Sequence, residues 1–408
     1  MRRPGVIRGR TLAVAAALFV VLAGLAGPAA GQTLRQRLDR ALTIAGVSRA
    51  QTGAFAFDLQ TGRVVYGWNR TRSLSPASNE KLGVALAALD QLGPSYRIQT
   101  EVRGHGALVG STWQGRLFLK GFGDPTLTSA DLRTLASRLR AAGIRRVTGQ
   151  VAGDESYFDT RRIANGWRPS YYKNESPPLS ALVVDRARVK GRTVDKPALS
   201  AAKAFRKALI AAGIAVGGRA VQGAAPGGAT RLAVVRSGPM AAIVKRMNKI
   251  SDNFYAEMLV KHLGARIRNA GTTIAGCIVV RRVLEARNVP LAGVRMADGS
   301  GLSRYDRATA NAIGSLLLSA WRDPALRTPF FASLAIAGVD GTLEDRMLTG
   351  PAHGRVRGKT GTTSIASALS GYAGTRYVFA VLQNGNPVSW TQSRRAQDRF
   401  AQALARAL

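Results

Sequence analysis

The stretch PASNEKLGVALAALDQL, residues 76–92, combines a proline turn with the start of an apolar helix. Its spacing of leucine, valine and alanine predicts a helix over Lys81–Leu92. Ser78 and Lys81 are three residues apart, so a helical turn would place both side chains on one face. A serine hydroxyl needs a base to become a nucleophile, and a lysine amine is a base only when it is neutral. The stretch therefore predicts a serine nucleophile with a lysine base, which can perform acyl transfer without histidine.

Two further short motifs follow along the chain. Ser251-Asp252-Asn253 is the one Ser-x-Asn in the chain, and Lys359-Thr360-Gly361 is the one Lys-Thr-Gly. Composition alone predicts roughly 0.08 chance matches to Lys-Thr-Gly, so coincidence is a poor explanation for the ordered set. Ser-x-x-Lys, Ser-Asp-Asn and Lys-Thr-Gly in this order are the motifs of penicillin-binding proteins and class A β-lactamases.

The ordered motifs predict a role for each of their residues. Ser251 would relay a proton, and Asn253 would hold Lys81 and the backbone amide of the substrate. A second cation near Lys81 would help keep it neutral, and Lys359 is expected to supply that charge. The predicted catalytic residues are Ser78, Lys81, Ser251 and Asn253.

Binding of the substrate is expected to use the third motif and the residue that follows it. Lys359 and Thr360 would bind the substrate carboxylate. The backbone N–H groups of Ser78 and Thr362 would stabilise the negative oxygen that develops during acyl transfer. The predicted substrate-binding residues are Lys359, Thr360, Gly361 and Thr362.

Two other Ser-x-x-Lys matches compete with Ser78, and composition predicts roughly 0.7 such matches by chance. Ser170-x-x-Lys173 lies in an aromatic segment flanked by proline, where helical geometry is not expected. Ser200 follows Pro197 and precedes an amphipathic helix, so we interpret it as a helix N-cap. Its distance to Ser251 resembles that of compact β-lactamases, which keeps it as an alternative. Ser78 is favoured because it follows a strand pair and starts an apolar helix.

Composition limits the remaining classes of function. The chain has 408 residues, a formal charge of +36 and 46% hydrophobic residues, which is enough to bury a core. One cysteine and three scattered histidines predict no disulfide framework, no metal and no cofactor. The basic residues are dispersed and lack interleaved aromatic residues, so nucleic acid is not expected as a partner. Anionic envelope polymers are possible partners, although a composition bias explains the charge equally well.

The first thirty-one residues have the layout of a secretory signal peptide. Four arginines precede an apolar run from Leu12 to Gly27, and small residues follow up to Gly31. We expect cleavage after Gly31, with a retained membrane anchor as the alternative. Loss of the four arginines would lower the charge from +36 to +32. The sequence therefore predicts an exported protein, either periplasmic or extracellular and associated with the cell wall.

The pattern of elements predicts an α+β fold. Residues 53–69 predict a strand pair with a turn at 60–62, and the C-terminal part predicts three more strands and a final helix. Residues 239–264 are predicted as one helix. Because both ends of the chain supply strands, the glycine-rich middle is interpreted as an insertion. The predicted organisation is a signal peptide at 1–31, a main domain at 32–97 and 228–408, and one or more inserted domains at 98–227.

Beyond the three motifs, the chain resembles the D-Ala-D-Ala carboxypeptidase/endopeptidase family of low-molecular-mass class C penicillin-binding proteins, peptidase family S13. The resemblance runs from about residue 50 to the C-terminus. The stretches that carry it, besides SNEK and SDN, are 123–127 (GDPTL), 153–159 (GDESYFD), 180–182 (SAL), 298–304 (DGSGLSR) and 341–343 (GTL). The 170-residue gap between Lys81 and Ser251 is similar to this family's large insertion and is too long for a compact β-lactamase.

This resemblance implies a penicillin-binding/β-lactamase-like transpeptidase domain, with an antiparallel sheet flanked by helices and a large β-rich insertion. It implies removal of D-Ala from peptidoglycan stem peptides, or cleavage of their cross-links, through an acyl-enzyme. β-Lactams would be covalent inhibitors at the same serine. The alternatives are a β-lactamase or esterase on the same fold, and a non-catalytic cationic protein that binds the cell envelope.

One departure from the family bears on side-chain specificity. Some members place an acid shortly after the stretch that corresponds to residues 153–159, where it recognises the free amino end of the stem peptide. Thr160, Arg161 and Arg162 occupy that region here, and Asp159 is a weak substitute. The 298–304 stretch is interpreted as a structural turn that supports the site.

Overall fold

The computed structural model describes Met1, Gly5 and residues 32–408. The chain divides into two units, Met1–Thr33 and Leu34–Leu408, and the architecture below is that of the second. Apart from Met1 and Gly5, the predicted signal peptide lies outside the described residues. Within the described part of the chain, no helix has both the length and the apolar character needed to span a membrane.

Ten helices are found among the described residues. They are α1 (Leu34–Leu42), α2 (Glu80–Leu92), α3 (Ser129–Ala141), α4 (Pro197–Ala211), α5 (Met240–Lys249), α6 (Asn253–Arg268), α7 (Thr273–Ala286), α8 (Ala310–Arg322), α9 (Pro324–Ser333) and α10 (Trp390–Ala405). Short 3₁₀ turns occur at Ala77–Asn79, Pro169–Tyr171, Asp185–Ala187 and Gly341–Leu343.

The described residues form fifteen strands. They are β1 (Thr52–Asp58), β2 (Arg63–Trp68), β3 (Gln99–Val109), β4 (Thr112–Gly121), β5 (Arg146–Val147), β6 (Val151–Asp154), β7 (Arg188–Val189), β8 (Arg192–Thr193), β9 (Ala215–Val216), β10 (Ala220–Gln222), β11 (Thr230–Arg236), β12 (Ala335–Ile336), β13 (Val356–Thr362), β14 (Ala366–Ala373) and β15 (Tyr377–Asn384).

A six-stranded antiparallel sheet joins the two ends of the chain. Its order is β12-β13-β14-β15-β1-β2, so the N-terminal hairpin adds to the C-terminal strands through the β1–β15 pair. Alternate residues of β1 face opposite sides, as strand geometry requires. Ala54 and Ala56 join the core formed with α1 and α10, whereas Phe55 and Phe57 join the core that contains α2 and α5–α9. The sheet is therefore buried on both faces between two layers of helices.

The middle of the chain forms a second, mixed sheet. Its order is β10-β6-β4-β3-β11, with β5 and β9 paired beside β4. Leucines of α3 and the Phe205 and Leu209 side chains of α4 pack against it in a separate core. The predicted division at 98–227 stays a prediction. The second sheet also contains β11 (Thr230–Arg236), which pairs with β3.

The structure differs from two local predictions. The helix expected over 239–264 is two helices, because Ser251 between them has a left-handed backbone with φ of 58°. Ser200 is not an N-cap: α4 begins at Pro197, whose fixed φ suits the first helical position, so Ser200 lies inside the helix. The predicted strand pair within residues 53–69, the three C-terminal strands and the helix at 81–92 are present with shifts of a few residues at their ends.

Candidate active site

Ser78 and Lys81 lie where the 3₁₀ turn Ala77–Asn79 leads into α2. The Lys81 ammonium nitrogen Nζ is 3.0 Å from the Ser78 Oγ, as expected for residues one helical turn apart. Lys81 is fully buried, whereas Ser78 is partly exposed. The pair therefore joins an accessible hydroxyl to an amine that is shielded from solvent.

The second motif reaches Lys81 because the chain turns sharply between α5 and α6. Asp252 caps α6 by accepting a hydrogen bond from the Tyr255 N–H at 3.2 Å, and Asn253 is the first residue of that helix. Lys81 Nζ donates to Asn253 Oδ1 at 2.8 Å. The left-handed conformation of Ser251 points its hydroxyl elsewhere, to within 2.8 Å of Lys359 Nζ. The motif thus contacts both lysines.

Strand β13 carries the third motif, and its two faces have different surroundings. Thr360 and Thr362 are half-buried and line a cavity, as alternate residues on one face of a strand should. Lys359 is fully buried on the other face, where Nζ donates to Ser251 Oγ and to the Thr360 carbonyl at 2.9 Å. A Cβ on Gly361 would lie 2.9 Å from the Pro76 carbonyl oxygen, so glycine lets the strand approach the turn that carries Ser78.

The cavity beside Ser78 has a volume of about 430 Å³. Five of the eight predicted site residues line it, namely Ser78, Ser251, Asn253, Thr360 and Thr362. The other three, Lys81, Lys359 and Gly361, lie behind this wall. The structure therefore brings all eight predicted residues to one place, with the two lysines beneath the surface that a substrate would contact.

Eight further residues line the same cavity and were not predicted as site residues. They are Glu175, Leu302, Gly341, Thr342, Glu344, Asp345, Arg346 and Arg394. Only Gly341, Thr342 and Leu302 belong to stretches noted in the sequence, and those stretches indicated family likeness rather than a place in the site. Thr342 Oγ1 accepts a hydrogen bond from Thr360 Oγ1 at 2.7 Å, which joins the 3₁₀ turn Gly341–Leu343 to β13.

A buried turn at Asp298–Gly301 supports Lys81 from below. Lys81 Nζ donates to the Ser300 carbonyl oxygen at 2.5 Å. The Asp298 carboxylate accepts hydrogen bonds from the Gly301 N–H at 2.7 Å and the Ser303 N–H at 2.9 Å, which closes the turn. A Cβ on Gly301 would lie 1.9 Å from the Ala77 carbonyl oxygen, so the turn packs directly against the segment that presents Ser78.

Glu257 holds this turn and was missed by the sequence analysis. Its Oε1 accepts hydrogen bonds from the Gly299 N–H at 3.0 Å and the Ser300 N–H at 2.8 Å, and the side chain is fully buried. Glu257 lies four residues after Asn253 and therefore on the same face of α6. This spacing could have indicated that Glu257 lies near the site. It does not show which backbone N–H groups the carboxylate would bind.

Burial and charge set the protonation of both lysines. Burial lowers the pKa of Lys81 to about 8, and the nearby carboxylates of Asp298 and Glu257 oppose part of that effect. Burial also holds the pKa of Lys359 well below its usual value, and the charge of Lys81 lowers it further. Burial, followed by the charge of Asp298, raises the pKa of Glu257 to about 8. With a pKa of about 8, roughly a tenth of Lys81 is neutral at pH 7 and about half at pH 8.

The competing Ser-x-x-Lys pairs lie elsewhere. Ser200 and Lys203 are on α4, which packs against the second sheet. Ser170 is in the 3₁₀ turn Pro169–Tyr171, and Lys173 forms an ion pair with Asp195 at 2.6 Å. These four residues are not among those that line the cavity beside Ser78. Within the described ranges, no cluster of three or more histidine, cysteine, aspartate or glutamate residues could hold a metal ion.

Comparison with known sequences assigns this chain to a family. The sequence model of the D-Ala-D-Ala carboxypeptidase 3 (S13) family matches residues 34–194 and 188–407. The chain belongs to this family. It is 32% identical to a D-alanyl-D-alanine carboxypeptidase of Actinomadura sp. (strain R39), over 91% of this chain and 84% of that protein. It is also 32% identical to a carboxypeptidase of Mycobacterium tuberculosis, over 85% of this chain and 78% of that protein.

A solved structure confirms the predicted fold. Penicillin binding protein 4 from Haemophilus influenzae superposes with a TM-score of 0.79 at 22% identity, over 91% of this chain and 98% of that chain. The same protein in complex with a β-lactam gives a TM-score of 0.75. The α+β transpeptidase-like fold and the membership of family S13 expected from the sequence are both confirmed.

Proposed function

We propose that this protein is an exported serine D-alanyl-D-alanine carboxypeptidase and endopeptidase that acts on peptidoglycan stem peptides. The observation that carries the proposal is the 3.0 Å contact between the Ser78 Oγ and the amine of Lys81, whose pKa burial lowers to about 8. That contact joins a nucleophile to a base at the edge of a cavity large enough for a peptide terminus. Membership of family S13 supports the same activity.

In the proposed acylation step, the Ser78 oxygen attacks the carbonyl carbon of the penultimate D-Ala. The neutral Lys81 amine takes the hydroxyl proton, and the backbone N–H groups of Ser78 and Thr362 stabilise the oxyanion. The peptide bond then breaks, and the proton held by Lys81 passes through Ser251 to the leaving amine, which returns Lys81 to its neutral form. The products of this step are free D-Ala and an ester of Ser78 with the remaining peptide.

In the proposed deacylation step, water attacks the ester carbonyl and transfers its proton to Lys81. The Ser78 oxygen leaves and regains a proton, which restores the starting state. Cleavage of a cross-link follows the same two steps with a longer leaving group. β-Lactams would acylate Ser78 in the same way and remain bound as the ester.

The geometry favours different roles for the residues of the Lys-Thr-Gly motif and for the threonine that follows it. Thr360 and Thr362 line the cavity and are proposed to bind the terminal carboxylate of the substrate. Lys359 is fully buried behind them and bonds Ser251, so we propose that it acts on Ser251 by direct contact. Burial lowers the pKa of Lys359, so we propose that it gains its charge when the substrate carboxylate binds nearby and favours the ammonium. Gly361 is proposed to contribute by its lack of a side chain, which lets β13 lie against the Ser78 turn.

Recognition of the free amino end of the stem peptide by Asp159 has little support. Lys261 Nζ donates a hydrogen bond to Asp159 Oδ1, so this carboxylate already has a buried cationic partner. Arg162 pairs with Glu155 at 2.6 Å and is also engaged. The stem-peptide residue that this protein prefers therefore requires another determinant.

Export and binding to anionic envelope polymers complete the proposal. The basic and apolar pattern of the first thirty-one residues supports export. The large positive charge supports attraction to teichoic-acid-like or phospholipid anions, whereas no motif supports nucleic acid.

Turnover of a D-Ala-D-Ala peptide, compared with hydrolysis of nitrocefin, tests the proposed function. We expect release of D-Ala with many turnovers, together with a single slow turnover of nitrocefin. Rapid nitrocefin hydrolysis without D-Ala release would instead indicate a β-lactamase or esterase. Absence of both reactions and of penicillin labelling would indicate a non-catalytic envelope-binding protein.

A further inference from the structure

A second cavity, of about 480 Å³, opens beside α7 and shares no lining residue with the cavity around Ser78. One face of α7 forms its wall through residues spaced three or four apart, namely Ile274, Cys277, Ile278, Arg281 and Leu284. Ile274 is 60% exposed and Ile278 is 36% exposed, which is unusual for isoleucine. Leu291, Val294 and Met296 form the facing wall. The cavity is of the size and apolar character of small-molecule sites.

Glu80 is the acidic residue among those that line this cavity. It is only 7% exposed, and no hydrogen bond from the described part of the chain reaches its carboxyl group. Burial raises the pKa of Glu80 well above its usual value, and the charge of Asp298 acts in the same direction. Buried polar groups in folded proteins nearly always have hydrogen-bond partners. The Glu80 oxygens are not among the fully enclosed polar atoms that lack a partner, so they open onto the cavity, where a bound molecule would place a polar group.

A smaller cavity of about 20 Å³ lies beside the larger one. The two share five lining residues, among them Glu80, Leu284 and Leu291. Gly83 also lines the smaller cavity, and a Cβ there would lie 3.3 Å from Val280 Cγ1. This volume accommodates one or two non-hydrogen atoms. A ligand can therefore reach the carboxyl group without displacing the helix.

The charges around the cavity restrict the class of ligand. Arg281 and Arg295 line it, and both have partners: Arg281 pairs with Glu285 at 2.9 Å, and Arg295 Nε donates to the Tyr305 carbonyl oxygen at 2.6 Å. Two guanidinium groups disfavour a cationic ligand, and the cost of burying an unpaired charge among the apolar residues beside Glu80 disfavours an anionic one. An uncharged molecule with one hydroxyl group fits both constraints.

We propose that this cavity binds an uncharged phenol or alcohol, whose hydroxyl group hydrogen-bonds Glu80 and whose apolar body packs against the exposed face of α7. Glu80 directly precedes Lys81, so the occupant would contact the first turn of the helix that also carries the proposed base. The site itself is independent of the catalytic roles proposed above.

Fluorine NMR of the full chain with 4-fluorophenol and fluorobenzene tests this proposal. We expect 4-fluorophenol to bind about tenfold more tightly, as one hydrogen bond to a buried group would provide. In Glu80→Leu the preference for the phenol should disappear, and in Glu80→Gln, which retains hydrogen-bonding groups, it should persist. Ile278→Trp fills the mouth and should weaken the binding of both probes by at least about tenfold.

Equal binding of the two probes by the unmodified protein, or no binding of either, would overturn the proposal. Tighter binding of 4-fluorobenzylamine or 4-fluorobenzoate would overturn the assigned class of ligand. Unchanged binding in Ile278→Trp would show that the probes occupy another site. If Glu80→Leu does not fold, the proposal is decided by the comparison of the two probes in the unmodified protein and by the Ile278→Trp variant. The melting temperature of Ile278→Trp shows whether that variant is folded.

Discussion

Lys81 is the residue whose protonation the rest of the site controls. Its Nζ donates to Ser78 Oγ, Asn253 Oδ1 and the Ser300 carbonyl oxygen, so three segments distant in sequence meet at one amine. Burial favours the neutral amine, whereas Asp298 and Glu257 favour the ammonium. The balance leaves a base that works near neutral pH, which a solvent-exposed lysine could not provide.

The acylation rate is expected to rise with pH, with a midpoint at about 8. Only the neutral amine can accept the Ser78 proton, and it predominates above the Lys81 pKa of about 8. In Glu257→Gln this midpoint should move to lower pH, because glutamine retains the Oε1 acceptor but never gains the charge that Glu257, with its own pKa of about 8, acquires over the same pH range. The second-order rate of penicillin acylation, measured between pH 6 and 10 (about four units around the expected midpoint), checks both statements.

Glu285→Gln is the matched control for this experiment. Glu285 is half-exposed on α7 and pairs with Arg281, so its loss should leave the midpoint unchanged. A midpoint that stays constant or rises in Glu257→Gln would contradict the electrostatic account of Lys81.

Individual residues of the site differ in how far the sequence could predict them. Ser78 and Lys81 were predictable because their contact is local and follows from helical spacing. The contact of Lys81 with Asn253 was predictable only from the ordered motifs, because the two residues are far apart in sequence. The contact with Ser300 was not predicted, because it depends on how the helices pack and not on spacing. The helix face on which Glu257 lies can be predicted from the sequence. Its hydrogen bonds to Gly299 and Ser300 cannot, because they depend on how distant segments pack.

The ends of the helices and strands were less predictable from the sequence than their presence. The strands at both ends of the chain follow from alternation, and their pairing into one sheet follows from the motifs. The interruption between α5 and α6 was missed because apolar spacing continues through it. Ser251 adopts a left-handed backbone there, which is rare for a residue other than glycine, and this reorients the chain so that its hydroxyl meets Lys359. A tertiary contact thus overrides the local helical pattern.

Gly301→Ala is expected to lower stability by about 2 kcal/mol or more and to abolish penicillin labelling. Gly301 has φ of 82°, and a Cβ would lie 1.9 Å from the Ala77 carbonyl oxygen. Both the backbone strain and the clash act on the turn that presents Ser78. The melting temperature and labelling by fluorescent penicillin check this prediction.

Gly62→Ala is its control, because Gly62 has a similar φ of 69° but open space around the missing side chain. It should lose only about 1 kcal/mol from backbone strain and keep full labelling. Equal effects of the two substitutions would show that the contact with Ala77 is unimportant.

His262 connects α6 to the segment that follows β4, and this contact should make stability depend on pH. Its Nδ1 lies 2.8 Å from the Phe122 carbonyl oxygen, and its Nε2 lies 3.2 Å from the Tyr96 hydroxyl. Burial lowers the pKa of His262 from 6.5 to about 4. Between these values the unfolded chain binds a proton that the folded protein does not, so stability falls as the pH drops from 6.5 to 4.

The expected loss over that window is about 3 kcal/mol from this residue alone. Urea unfolding at several pH values, compared between the unmodified protein and His262→Asn, measures it. The variant should be less stable at pH 7 because it loses packing, and its stability should decline less towards pH 4. An identical decline in both proteins would contradict the assignment to His262.

For the whole molecule, the charge of +36 is the property that the fold explains least. Two of the lysines, Lys81 and Lys359, are buried in the site and do not contribute to the surface. Most other basic residues are arginines dispersed along both sheets and their helices. If this surface holds the enzyme on an anionic polymer, the attraction must weaken as salt screens it.

Binding to isolated cell wall is therefore expected to fall at least about tenfold when the salt concentration rises from about 0.05 M to about 0.5 M. Over this range the screening length shrinks about threefold. Sedimentation of the protein with purified wall measures this, and a neutral polysaccharide serves as the control. Binding that is insensitive to salt would indicate that the arginine content reflects composition and not a partner.

Ser78 is proposed to be the acylated nucleophile, and labelling with fluorescent penicillin followed by peptide mapping tests this role. We expect the adduct on Ser78, complete loss of labelling in Ser78→Ala, and full labelling in Ser200→Ala, whose side chain lies on α4 away from the Lys81 cavity. Labelling that persists in Ser78→Ala, or that is lost only in Ser200→Ala, would contradict the account.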